Sequence, residues 1–305
     1  MTAKRLSLGC GNFGGVGSTP GFFGQGTTED DARAIMDIAW NRGIRWFDTA
    51  DAYGGGRSES FIGRWRADRG RGPIVTTKVF YSVTGDPADH GLSRDRILRN
   101  VEGSLERLGV DRLDLYLAHD RDLETPLAET VGAFEELVRQ GTIGAWGLSN
   151  HDAAAIREAL AYGRPALIQN AYSLLDRDDE AEVLPFCAEH GLDYVPFGPL
   201  AGGWLTGKYR RGEAFPEGSR MTQRPEGYAH LVTDRVYDGL DRLAAEAHER
   251  GVELTALAFA WVLSHPGVAG AVCGPTRPAH LEPVLAALEL PLSADERDRI
   301  GSFFS

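Results

Sequence analysis

Long apolar runs are missing from this chain. A bilayer span needs about eighteen or more consecutive apolar residues, and no stretch approaches that; nor does the opening MTAKRLSLGC hold the apolar segment of a secretory signal. The expectation is a cytoplasmic protein with no membrane partner. Cysteine is scarce too. Cys10, Cys187 and Cys273 stand far apart in no CxxC or Cys/His spacing, which argues against a disulfide framework and against structural zinc, so no metal is expected. Positive charge is in deficit, 32 Lys and Arg against 44 Asp and Glu, for a net charge of −12. Such a surface has no general attraction for nucleic acid, and any phosphate the protein binds must be met by a local cluster of bases. Scarcest among the bases is lysine: of the 32 basic residues only Lys4, Lys78 and Lys208 are lysines. Where arginine supplies nearly every positive charge, a lysine calls for a specific explanation.

What is present is a chain of 305 residues, 42% hydrophobic, able to bury a large core. Short apolar runs of strand character alternate with amphipathic stretches from end to end. The expected strands are Arg5 to Gly9, Ile44 to Asp48, Pro73 to Lys78, Leu113 to His119, Ile143 to Ser149, Ala166 to Asn170, Leu192 to Phe197 and Gly267 to Cys273. Helix starts are signalled by Thr28, by Ser93, and by Thr125 as N-cap with Pro126 at N1. Eight strands alternating with helices predict an α/β fold, a closed (β/α)8 TIM barrel forming one domain over residues 1–305, with an open doubly wound sheet as runner-up. The longest irregular stretch, Gly198 to Val232, is long enough inside a compact barrel to suggest a functional loop.

The glycines of GCGNFGGVG, at 9, 11 and 14, satisfy the GxGxxG dinucleotide fingerprint. That fingerprint needs a helix opening within the motif to receive the pyrophosphate. Here GGVGSTPGFFGQG follows, six glycines and a proline in thirteen residues, which cannot start a helix. The segment is read as a loop at the barrel mouth.

In such a barrel, chemistry collects at the C-terminal strand ends. Those ends offer Asp48 and Tyr53 after strand two, Lys78 after strand three and His119 after strand four. A partly buried Lys78 needs a carboxylate, and Asp48 on the neighbouring strand end is the expected partner. Asp51, three residues into the loop, reads as a turn former. Tyr53, five residues past Asp48, can fold back over the barrel axis as a proton donor, and a nearby ammonium is expected to lower its pKa from about 10 towards the working pH. His119 can hydrogen-bond a substrate oxygen. A general acid without a nucleophile or an acidic pair calls for an external reagent, and hydride from a nicotinamide would complete the chemistry.

FDTADAYG, the Lys78 strand end, DLYLAH, GLSN, QNAYSLLDR, VPFGPLAGG and CGPTRPAHLE follow one another in the order expected of the aldo-keto reductase superfamily, which the chain resembles over nearly its whole length. The resemblance is to the branch of the potassium-channel β subunits, and it implies reduction of aldehydes and ketones with NADPH, NADH being the alternative. Asp48, Tyr53, Lys78 and His119 resemble the catalytic tetrad. Gly11 and Asn12 in the first loop, and Ser149, Asn150 and Gln169 at the nicotinamide carboxamide, match cofactor positions. Phe197 falls where an aromatic ring stacks on the nicotinamide, followed by Gly198, Pro199 and Leu200. Lys208 and Arg220 match contacts to the cofactor phosphates, and Gly274, Thr276, Arg277 and His280 the site of the adenosine 2′-phosphate.

Three departures stand out. Pro283 and Val284 replace the usual Glu-Asn that contacts adenine. The N-terminal β-hairpin of the family looks shortened or absent. His119 is kept, where channel subunits carry asparagine and steroid double-bond reductases carry glutamate, and this favours carbonyl reduction. The alternatives are a nicotinamide-sensing regulatory subunit with slow turnover, and a pathway-specific reductase of a sugar nucleotide or enone. The expected substrate is a small carbonyl compound, with Phe22, Phe23, Phe80, Tyr81, Asp120 and Arg121 as pocket walls; a monomer is the family default.

Overall fold

Eight parallel strands alternate with helices in a computed structural model that describes residues 5–70 and 72–305. The strands are β1 (Leu6–Gly9), β2 (Trp46–Asp48), β3 (Ile74–Val79), β4 (Leu113–Ala118), β5 (Ile143–Ser149), β6 (Leu167–Gln169), β7 (Asp193–Tyr194) and β8 (Ala271–Cys273). They pair in sequence order, with β8 beside β1. The ring closes where Ala269 N–H donates to Tyr194 O and Val272 N–H to Pro196 O, each at 2.9 Å. This is the expected barrel. The expectation that the family's N-terminal hairpin is shortened or absent concerns residues 1–4, which lie outside the described residues.

The helices are α1 (Glu29–Asn41), α2 (Arg57–Ala67), α3 (Arg94–Leu108), α4 (Leu127–Gln140), α5 (Ala153–Ala159), α6 (Val183–His190), the single turn α7 (Arg220–Gln223), α8 (Asp234–Glu249), α9 (Leu254–Leu263), α10 (Leu281–Ala287) and α11 (Ala294–Gly301). Thr28 caps α1 by accepting from Asp31 N–H, as its sequence predicts. The start of α4 differs by one residue: Pro126, not Thr125, is the N-cap, and Thr125 N–H instead donates to Asp122 Oδ1. Nor does the Ser93 side chain cap α3. No helix among the described residues is long and apolar enough to cross a membrane.

Strand residues alternate between the two faces of the sheet. One set, Trp46, Leu115, Leu117, Leu167, Val195, Phe197 and Val272, forms a compact cluster that fills the barrel interior. The other set, with Leu8, Phe47, Val75, Tyr116, Leu148 and Ile168 among it, joins the larger core between sheet and helices. The two-residue period then fixes the site. Asp48 follows Trp46 by two, His119 follows Leu117, Gln169 follows Leu167, and Lys78 follows Thr76, whose hydroxyl accepts from Trp46 Nε1 at 2.6 Å. Every one of these polar side chains is delivered to the inside of the barrel at its C-terminal rim.

Candidate active site

At the centre lies a buried ion pair. Lys78 Nζ donates to Asp48 Oδ1 at 2.6 Å and to the Thr49 carbonyl at 2.8 Å. Asp48 Oδ2 accepts from Gln169 Nε2 at 2.8 Å, so both carboxylate oxygens are satisfied. Lys78 is 1% exposed and Asp48 4%, which leaves each as the other's replacement for water. Burial works against the Lys78 ammonium, but Asp48 and the Tyr53 phenol outweigh it, and the lysine stays charged above its ordinary range.

Tyr53 lies over this pair, with Lys78 Nζ 5.3 Å from its ring centroid and its hydroxyl 3.3 Å from His119 Nε2. Its turn is held by Asp51 N–H donating to Lys78 O and Tyr53 N–H donating to Ala50 O. Burial raises the Tyr53 phenol, the Lys78 ammonium pulls it down and Asp48 pushes it back up; the balance stands above the ordinary tyrosine value. The expectation of a lowered pKa is therefore corrected: desolvation outweighs the ammonium, whose charge is largely answered by Asp48. Burial, and then the Lys78 charge, hold His119 well below its usual range, so its imidazole is neutral. Its Nδ1 is buried without a partner.

The residues expected at a nicotinamide converge on the same rim. Ser149 and Gln169 are each 1% exposed, and Asn150, in a left-handed conformation (φ 60°), donates from Nδ2 to His119 O at 2.9 Å. Asn170 was missed by sequence reasoning. Its side chain accepts from His151 N–H and donates to His151 O and Asp179, latching the turn that carries Asn150. Phe197 closes the barrel interior, half-buried, and an exposed Gly198 at φ 68° turns the chain into the Pro199 and Leu200 segment. Gly11 backs the Tyr53 ring: a Cβ there would lie 3.5 Å from Tyr53 Cε2.

Three further bases come from the segments after β7 and β8: Lys208, Arg220 and Arg277. Arg220, on α7, donates to Asn12 Oδ1 at 2.5 Å and so ties the long loop after β7 to the loop after β1. Lys208 packs on Gly203 and over the Tyr209 ring. Arg277 donates to His280 Nε2, whose ring meets the Thr276 hydroxyl through Nδ1, with Gly274 exposed just before them. Burial, and then the charges of Arg277 and Lys208, push His280 down, so His280 feels both positive charges. No carboxylate among the described residues pairs with Lys208, Arg220 or Arg277. In a chain of net charge −12, a convergence of unneutralised bases fits an anionic ligand carrying phosphates. Val284 faces the core instead, and Glu282 is drawn towards α1 by Arg42 at 2.6 Å, so the departure from Glu-Asn leaves this helix no free carboxylate at that place.

Of the expected pocket walls, Tyr81 sets its ring edge-on to His119, 5.1 Å between centroids, and donates to Asp120. Phe80 packs on Tyr81, Phe23 lies against Gly55, and Arg121 pairs with Asp152 at 3.1 Å. Phe22 sits in a short 3-10 turn of the first loop, where no helix opens within the glycine motif.

Comparison with known proteins agrees with this geometry. The family described as the aldo/keto reductase family matches residues 5–304. A probable voltage-gated potassium channel subunit beta of Arabidopsis thaliana is 34% identical over 88% of this chain and 85% of its own length. An NADH-specific methylglyoxal reductase of Escherichia coli is 32% identical over 96% of this chain and 92% of its own. Among solved structures, the glycerol dehydrogenase of Gluconobacter oxydans superposes with a TM-score of 0.86 at 27% identity, covering 98% of this chain and 90% of that one.

Proposed function

The chain belongs to the aldo/keto reductase family, and from that premise we propose that it reduces a small aldehyde or ketone with NADPH, Tyr53 supplying the proton. The observation that supports this most is the buried Lys78–Asp48 pair set under a tyrosine whose hydroxyl lies 3.3 Å from a neutral histidine. A bound nicotinamide would supply the hydride to the carbonyl carbon.

The protein's own residues manage the oxygen. His119 Nε2 and Tyr53 Oη together hold the carbonyl oxygen and polarise it. As negative charge develops there, Tyr53 transfers its proton, and the phenolate left behind faces the Lys78 ammonium. Because the phenol stands above its ordinary value, Tyr53 is fully protonated across the neutral range and ready to donate. Asp48 keeps Lys78 in place, and Gln169 keeps Asp48 in place. Solvent then returns a proton to Tyr53.

NADPH over NADH rests on the bases Lys208, Arg277 and His280. The test is oxidation of NADPH, and in parallel of NADH, by the purified protein with a reactive aromatic aldehyde. Wild type is expected to turn over, whereas Tyr53→Phe binds cofactor and loses about a hundredfold or more in turnover. Binding without reduction across a panel of carbonyls would overturn the reading. It would favour a nicotinamide-sensing regulatory subunit, the alternative raised by the 34% identity to a channel subunit beta.

A further inference from the structure

Asp51 has no part in the chemistry above, yet it is 0% exposed in the very turn that delivers Tyr53. Its main-chain N–H donates to the carbonyl of Lys78 at 3.0 Å. Its side chain points away from the mouth towards α3, where Oδ2 accepts from Asn100 Nδ2 at 2.9 Å, while Oδ1 is buried with no partner. The residue is more than the turn former its sequence position suggests.

The groups around it make ionisation costly. Glu59 on α2, also 0% exposed, accepts from Thr77 Oγ1 and from Arg107 Nε, so the Arg107 guanidinium is committed to Glu59. Arg96 is committed to Asp89 and to the carbonyls of Phe80, Tyr81 and Gly91. On β4, the Tyr116 hydroxyl is buried without a partner and is close enough to feel the Asp51 charge. A buried carboxylate with one neutral amide donor and a second carboxyl for a neighbour is poorly solvated. A proton on the carboxyl removes the charge that this enclosure does not solvate.

We propose that Asp51 works as a neutral carboxylic acid and is a positioning residue for Tyr53: uncharged, it stays buried beside Glu59 and keeps the turn seated, and ionisation loosens the turn by placing a second, poorly solvated carboxylate there. Burial and the neighbouring Glu59 raise the carboxyl, against Asn100 and the two arginines, to about 7. The folded value exceeds the unfolded one, so the stability Asp51 contributes is complete below about pH 4 and declines as pH rises to about 7.

The proposal rests on the carbonyl-reductase reading only for its kinetic arm. The first measurement is independent of turnover: ¹³C titration of the aspartate carboxyls in wild type and in Asp51→Asn. A carboxyl titrating near pH 7 in wild type and missing from the variant is expected; titration of every aspartate below about pH 5 overturns the proposal. The second is the pH profile of kcat. Wild type is expected to lose turnover as pH rises through the same transition. Asp51→Asn, whose amide offers a donor where the acid has its hydroxyl, keeps turnover at pH 6 and loses the decline, and Asp51→Ala falls about tenfold or more at every pH through misplacement of Tyr53. A flat wild-type profile, or an Asn variant as weak as Ala at pH 6, overturns it. If no carbonyl is reduced at all, the function reading fails while the titration, and the expected flattening of the melting temperature between pH 4 and 7 in Asp51→Asn, still decide the proposal.

Discussion

Asp48, Tyr53, Lys78 and His119 were legible as residues because each is an unusual type at a strand end, and because lysine is so rare that Lys78 could not pass for an ordinary surface base. What the sequence could not show was how they are held. The Gln169 bond to Asp48 crosses the barrel, 121 residues along the chain, and depends on a register that only the folded sheet provides. The direction of the Tyr53 shift was equally hidden, since it is a contest between burial and two opposite charges. After β8, Arg277 is exposed and, among the described residues, its side chain is bonded only to His280, which frees its charge for a ligand. On the proposed NADPH reading, replacing it with alanine removes one charge-assisted contact to the adenosine phosphate, about 1.5–3 kcal/mol, or roughly 10- to 150-fold in affinity. Titration of the variant is expected to show that loss for NADPH and none for NADH. Equal losses, or no loss, would mean that these bases do not read the phosphate.

Among the elements, all eight strands and the function of alternation could be read, whereas their lengths could not. The seventh was expected to reach Phe197 and ends at Tyr194. Pro196 has no N–H to donate, so the ladder is interrupted there, although Phe197 N–H still reaches Asn170 O. The first loop was recognised as a loop by its glycines, but why they are glycines appears only in three dimensions. Gly26 runs so close to the opposite arm that a Cβ would lie 2.0 Å from Gly15 O and 2.2 Å from Asn12 O, both backbone atoms that cannot swing aside. Gly26→Ala is therefore expected to push the arm that carries Asn12 off its bond with Arg220. Cofactor titration should weaken and the melting temperature should fall. Thr28→Ala, two residues away, removes only the α1 cap and should lower stability by about 1 kcal/mol with cofactor affinity intact. If both variants bind cofactor like wild type, the loop geometry is not what aligns the bases.

For the molecule as a whole, the barrel must also hold its last helix in place, and it does so largely through arginine. Glu246 on α8 accepts from Arg299 of α11 with both oxygens, at 2.7 Å each, and from Arg250, which also reaches Glu296. The bonds from Arg299, and then from Arg250, hold Glu246 against burial at about 2. Glu180 is likewise held at about 2, where bonds from Arg177, Tyr172 and Arg297 overcome burial. These folded values lie below the unfolded one, so the stability both carboxylates contribute is present above the unfolded pKa, about 4.3, and is lost as pH falls from there towards 2. Asp51 acts in the opposite sense and in a separate window, between about 4 and about 7. The two can be separated by variants. In Glu180→Gln/Glu246→Gln the fall in melting temperature below pH 4.3 should be shallower, because fewer native carboxylates then resist protonation, while the slope between pH 4 and 7 is unchanged. Asp51→Asn should do the reverse. An acid limb that keeps its full steepness in the double variant would place acid sensitivity in carboxylates other than Glu180 and Glu246, such as Asp122, whose pKa is lowered, against burial, by the N–H bonds it accepts.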